Sequence, residues 1–160
     1  MIDSWFALAL LSALGSGLIA GVFFAFSAFV MRALARLPPA QGIAAMQSIN
    51  VVVLNPVFLG VFLGTAALCA ASVVAGLLRG AAGGAFVIAG AALYLGGTFL
   101  VTIAANVPWN DALAAAAPDD PAAADTWRLY SRRWTAWNHV RAFCALAAMA
   151  SFIAAIASGW

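Results

Sequence analysis

The sequence predicts an all-α integral membrane protein: an antiparallel four-helix transmembrane bundle with a short interfacial helix between helices 1 and 2. Three observations carry this reading. The mean hydropathy is +1.06. Charged residues make up 8% of the 160 positions, against about 25% in an ordinary soluble domain. Several uncharged runs also reach the roughly 20 apolar residues that cross a ~30 Å hydrocarbon core. Residues 1–160 have room for one such bundle and no separate soluble domain. The formal net charge of +2 comes from arginine against aspartate alone, and it is too small to point to nucleic acid.

The first span is expected at about 5–30. Its opening, MIDSW, lacks a basic n-region and the apolar run outlasts a typical signal core, so the segment is expected to be retained. Arg32 and Arg36 follow, and Pro38-Pro39 stops the helix. The milder AQGIAAMQSIN reads as the short interfacial helix. Asn55-Pro56 then combines an N-cap with proline at the first helical position, opening a second span at about 56–78. RGAAGG is a tight turn, and a third span covers about 85–105. NVPWND is expected to break that helix, and DALAAAAPDD to form a polar-edged connector. Asp120-Pro121 repeats the cap-then-proline signal. The last helix rises through TWRLYSRRWTAWNHVR and crosses at about 142–159.

Four spans put both termini on one side. The two long connections share the other side and hold Arg32, Arg36, Arg128, Arg132 and Arg133, whereas the opposite turn holds Arg79. The positive-inside rule therefore places the long connections in the cytoplasm and both termini outside. GLIAG (Gly17, Gly21) and GVFLG (Gly60, Gly64) are small-xxx-small patterns, read as close helix packing or, alternatively, as room for a ligand. Cys69 and Cys144 sit in apolar runs without metal-ligand spacing and read as buried small hydrophobes.

Chemistry collects on the long-connection side. The first connection carries Met46, Asn50 and Asn55. The second carries Asn106, Asn110, Asp111, Trp134, Trp137, Asn138, His139 and Arg141. Asn106 and Asn110 are four apart, although Pro108 disturbs the geometry between them. Trp134, Trp137, Asn138 and Arg141 follow i, i+3, i+4, i+7 and share one helical face. His139 stands about 100° from Asn138 and borders that face. Each residue alone also has a plainer reading: the tryptophans as an interfacial belt, the asparagines as caps, His139 as structural, Arg132 and Arg133 as headgroup anchors. Arg141 opens a long uncharged run, where it has to snorkel, pair or bind an anion. A lone histidine without a cysteine cluster argues against a multi-histidine metal centre or bis-histidine haem. Dinucleotide and Walker patterns do not appear. No acidic residue lies inside the spans to drive proton-coupled transport.

The segments GLIAGVFFAFSAFVMRALARLPPAQGIAAMQSIN, VLNPVFLGVFLGTA, NVPWNDAL and W-x-x-Y-x-x-x-W-x-x-W-N-H-V-R together resemble the anthrone oxygenase-like family of small four-helix membrane proteins. The resemblance runs in order along nearly the whole chain. It implies oxidation of an anthrone to an anthraquinone by O2 with no metal or organic cofactor, in a bacterial inner membrane. On that reading His139 is the candidate base. Arg141 stabilises the oxyanion, and Asp111 orients His139. Trp134 and Trp137 stack on the substrate. Asn50, Asn55, Asn106, Asn110, Asn138 and Met46 complete the pocket. Loss of activity in both His139→Ala and Arg141→Ala is the corresponding expectation. Two other functions stay open. One is a non-catalytic binding protein for a quinone, lipid or other apolar ligand. The other is a metal- or haem-dependent redox protein drawing on His139, Met31 or Met46 and Asp111, with a homo-oligomer pairing two copies of His139.

Overall fold

The computed structural model describes residues 4–79, 83–117 and 120–158, without the side chains of Leu78 and Arg79. Five helices make up the described chain: α1 (Ser4–Leu34), α2 (Pro39–Val52), α3 (Pro56–Arg79), α4 (Gly84–Ala114) and α5 (Ala123–Ser158). Among the described residues there is no strand. Helices α1, α3, α4 and α5 are long and apolar enough to cross a bilayer. The middle of the RGAAGG turn and the end of the expected fourth span at Gly159 lie outside the described residues, as does Trp160 of the expected aromatic belt.

The local signals explain the helix boundaries. Asn55 caps α3, its Oδ1 accepting from the amides of Val57 and Phe58 at 3.0 Å each, and Pro56 takes the first helical position. Such a cap satisfies amides that have no intrahelical partner. Asp120 does the same ahead of α5, accepting from the Ala122 amide at 2.7 Å. Pro38-Pro39 separates α1 from α2, with Pro39 in the first turn of α2.

One expected boundary is absent. NVPWND does not break the third span; α4 runs on to Ala114. The helix widens into π-helical turns at Leu93–Leu100 and Thr102–Asn106 before resuming α geometry at Val107, with Pro108 in the first turn of the resumed segment. The Val107 amide reaches back five residues to the Thr102 carbonyl. A proline at the start of a renewed α segment has no amide to lose from the ladder, so the wide turn absorbs what would otherwise be a break.

The spans close into a ring in which α1 packs on α5 and α3, and α4 packs on α5 and α3. One core runs through the ring and includes Ile19, Phe62, Tyr94, Ala148 and Phe152. A second lies under α2, where Ile43 and Met46 meet Leu113, Trp127, Tyr130 and Trp134. Gln47 pins α2 to the end of α4 by donating to the carbonyls of Leu113 and Ala116 at 2.8 and 3.0 Å. The expected interfacial helix is therefore also the lid of the bundle.

Of the four patterned glycines, Gly17 makes a close helix contact and the other three do not. A Cβ on Gly21, Gly60 or Gly64 would meet nothing within 4 Å, while one on Gly17 would strike the Met149 sulfur. Gly90 lies where a Cβ would come within 3.0 Å of the Phe152 ring, and Gly42 where it would come within 2.7 Å of Trp127. GLIAG and GVFLG mostly face outward because their spacing does not fix the rotation of the helix that carries them.

Candidate functional site

The π-helical turns sit around one cavity. A space of about 670 Å³ opens between α1, α2, the start of α3, the widened part of α4 and the Arg141 turn of α5. That is within the usual range for a small-molecule site, about 300–1,000 Å³. Its aromatic wall is built from phenylalanine: Phe58 stacks on Phe62 with centroids 5.9 Å apart, and Phe62 meets Phe99 at 5.6 Å. Phe26 packs against Trp134 at 5.6 Å.

Arg141 is the cation of this cavity and is 4% exposed. It does not snorkel, and it meets no carboxylate among the described residues. Its Nη2 donates to Asn138 Oδ1 at 2.7 Å and its Nη1 to Thr102 Oγ1 at 3.2 Å. The guanidinium lies 4.1 Å from the Phe23 ring centroid and 5.1 Å from that of Trp134. Desolvated cation–π contacts contribute roughly 2 kcal/mol or more each, and they work against the several kcal/mol that burying an unpaired charge costs.

Asn138 holds the arginine in place from behind. Fully buried, it donates to the Phe23 carbonyl at 2.7 Å and to Ser27 Oγ at 2.8 Å, and so fastens α5 to the widened turn Phe26–Val30 of α1. Thr98 donates to the Arg141 carbonyl, and Asn106 donates to the Trp134 carbonyl, both at 3.2 Å. Several polar atoms here are buried and unbonded: Arg141 Nε, Trp134 Nε1, Asn50 Nδ2 and Asn106 Oδ1. The first three belong to residues lining the cavity, and all three are donors. Buried donors without acceptors carry a desolvation penalty, which a bound group with acceptor oxygens would relieve.

The structure divides the residues singled out in the sequence. Met46, Asn50, Asn110, Asp111, Trp134 and Arg141 line the cavity. Asn110 accepts from the Tyr130 hydroxyl at 3.1 Å, and Asp111 is exposed at the rim. Asn106 and Asn138 are buried behind the wall. Asn55 is exposed and spent on its cap. Trp137 is 43% exposed, because the buried face of α5 follows Trp134, Asn138 and Arg141 and leaves the i+3 position at its edge. His139 is exposed and lines a different groove, between α1 and α5. The helix turns it away from Arg141, and it does not line the cavity that Asp111 and Arg141 share. The sparse ligand set divides as well: Met46 and Asp111 face the cavity, while Met31 and His139 face the groove. Among the described residues no three His, Cys, Asp or Glu side chains come together.

Two groups of cavity residues were missed in the sequence. Thr102 continues the Asn106, Asn110 spacing back by one more i+4 step, a signal that was available. The phenylalanines were hidden among the apolar residues of the spans, where no pattern separates a cavity wall from a lipid-facing side chain. A family model described as anthrone oxygenase matches residues 58–151, which include the Phe62 wall, the widened turns of α4 and Arg141. No curated protein and no solved structure is found to match the chain.

Proposed function

Because the chain belongs to the anthrone oxygenase family, we propose that the Arg141 cavity oxidises a flat, apolar aromatic ketone of the anthrone type, or a related hydroquinone, with O2 and no metal or organic cofactor. One observation carries the reading: a buried cation with no carboxylate partner among the described residues, on the wall of a large aromatic cavity. Such a site favours a ligand that brings its own negative charge.

In the proposed reaction the ring-flanked methylene gives up a proton, and its electrons delocalise onto the ketone oxygen as an enolate. Arg141 faces that oxygen. In a low-dielectric cavity a fixed cation lowers the cost of forming the anion far more than it does in water. Asp111 at the rim is the acceptor within the cavity lining that takes the proton outward; His139 has no part in this scheme. The electron-rich enolate passes an electron to O2, and the resulting radicals combine into a carbon–oxygen bond. The peroxide anion so formed takes up one proton to become a hydroperoxide, and loss of the second methylene hydrogen with the outer OH leaves a ketone and water. The methylene thus loses two hydrogens and gains one oxygen, which consumes one O2 per quinone. The phenylalanine wall and Trp134 hold the rings flat, and Asn50 and Trp134 supply donors for further oxygens on the substrate.

The same proposal places the ends bearing Arg32, Arg36, Arg128, Arg132 and Arg133 in the cytoplasm, with apolar substrate arriving from the bilayer. The test is O2 uptake by the purified protein with anthrones and hydroquinones, alongside its absorption spectrum and metal content. Equimolar O2 consumption and quinone formation by a colourless, metal-free sample supports the proposal. A Soret or flavin band, or stoichiometric metal, overturns the cofactor-free chemistry. Saturable binding without O2 uptake assigns the cavity instead to a carrier of apolar ligands, a reading favoured by its apolar rim of Leu54, Leu59 and Leu63.

A further inference from the structure

We infer that the groove between the end of α1 and the first half of α5 is a binding site for a phosphate group, carried by an anionic lipid of the adjoining leaflet or free in solution. This inference does not depend on the oxygenase reading, because the groove and the Arg141 cavity share no lining residue.

The groove arises from two matched stripes at i+4 spacing: Ser27 and Met31 on α1 with Ala35 just past its end, and Trp127, Ser131, Thr135 and His139 on α5. It encloses about 550 Å³. Buried Met31 and Trp127 make an apolar floor. Arg32 from one wall and Arg128 and Arg132 from the other line the same groove. Among the described residues no acidic side chain lines it. Arg128 is engaged by Asp125 at 2.8 Å on the exposed surface, whereas Arg32 and Arg132 meet no carboxylate among the described residues. The hydroxyl of Ser131, which also lines the groove, is buried and has no hydrogen-bond partner.

Two unpaired guanidinium groups and a buried hydroxyl donor form a set that recognises phosphate, whose oxygens accept from arginine in bidentate fashion. The position suits a lipid source. Arg32 lies at the end of the first apolar span, so the groove stands at headgroup level. Basic pockets between transmembrane helices hold anionic headgroups in this way. The role also accounts for the density of arginine around Trp134 that oxidation chemistry leaves unused.

The experiment titrates the detergent-solubilised full chain with dihexanoyl phosphatidylglycerol, dihexanoyl phosphatidylcholine and inorganic phosphate, followed by calorimetry. Saturable binding of the phosphatidylglycerol is expected, at least tenfold weaker in the Arg32→Gln/Arg132→Gln double variant and partly restored in Arg32→Lys/Arg132→Lys. Displacement of the lipid by inorganic phosphate at similar concentration assigns the site to free phosphate; failure to displace it assigns the site to lipid. Ser131→Ala, which changes no charge, is expected to weaken binding about threefold. The inference is overturned if neither phosphatidylglycerol nor phosphate binds saturably, if phosphatidylcholine binds as well as phosphatidylglycerol, or if the double variant with unchanged helicity binds like the parent.

Discussion

Arg141 is buried without a carboxylate partner among the described residues, and the neutral groups around it hold it in one orientation. Replacement by glutamine keeps a polar group for Asn138 Oδ1 and Thr102 Oγ1 and removes the charge. We predict that Arg141→Gln lowers kcat/KM for O2-dependent oxidation by at least 100-fold, about 2.7 kcal/mol of transition-state stabilisation, while circular dichroism stays unchanged. Near-parental rates in a folded Arg141→Gln would sink the oxyanion role. The converse concerns His139, which lines the outer groove and has no part in the proposed scheme. His139→Ala is expected to keep kcat/KM within about threefold of the parent, contrary to what its place in the WNHVR motif suggests. A loss comparable to Arg141→Gln would return it to the site.

Helices α2 and α3 owe their placement to single side chains. Removing the Asn55 cap leaves the amides of Val57 and Phe58 without their partner, so Asn55→Ala should cost about 1 kcal/mol, seen as a lower Tm with little change in KM at saturating protein stability. Gln47→Ala removes two bonds that hold the lid to α4; because α2 walls the cavity, its expected signature is a raised KM more than a lowered Tm. The glycines provide a paired test of packing. Gly90→Leu drives a side chain into Phe152 and is expected to destabilise by more than 2 kcal/mol, since overpacking a close helix contact typically costs 1–3. Gly60→Ala, facing open space, should change Tm hardly at all. The reverse ranking would show that the GVFLG face is buried in an assembly of copies.

At the scale of the molecule, α5 runs for 36 residues, about 54 Å at 1.5 Å per residue, against a hydrocarbon core of ~30 Å. Its first turns therefore extend beyond the apolar slab and carry Arg128, Arg132 and Arg133 there. With Cys69 and Cys144 replaced, Leu129→Cys is expected to react with a membrane-impermeant maleimide in inside-out vesicles and not in intact cells; the opposite pattern would invert the proposed orientation. The cavity lies between the spans and under α2, so its access, its dryness and the isolation of Arg141 belong to the assembled bundle and to no single helix.

Hydrophobicity and capping act over a few neighbouring residues, so they are legible along the chain. The four spans, the α2 helix, the caps at Asn55 and Asp120 and the face shared by Trp134, Asn138 and Arg141 follow from them. Rotation about a helix axis is decided elsewhere, by which partner each face meets. That is why His139 and Trp137, next to Asn138 in sequence, stand outside the cavity, and why Gly42 and Gly90 make the close contacts expected of Gly21 and Gly60. The widened turns of α4, which carry Pro108 without a break and bring Thr102 to Arg141, likewise depend on the packing of α5 alongside them. The chain alone determined a membrane helix bundle with a polar edge; only its tertiary packing decided which of those polar residues share a cavity.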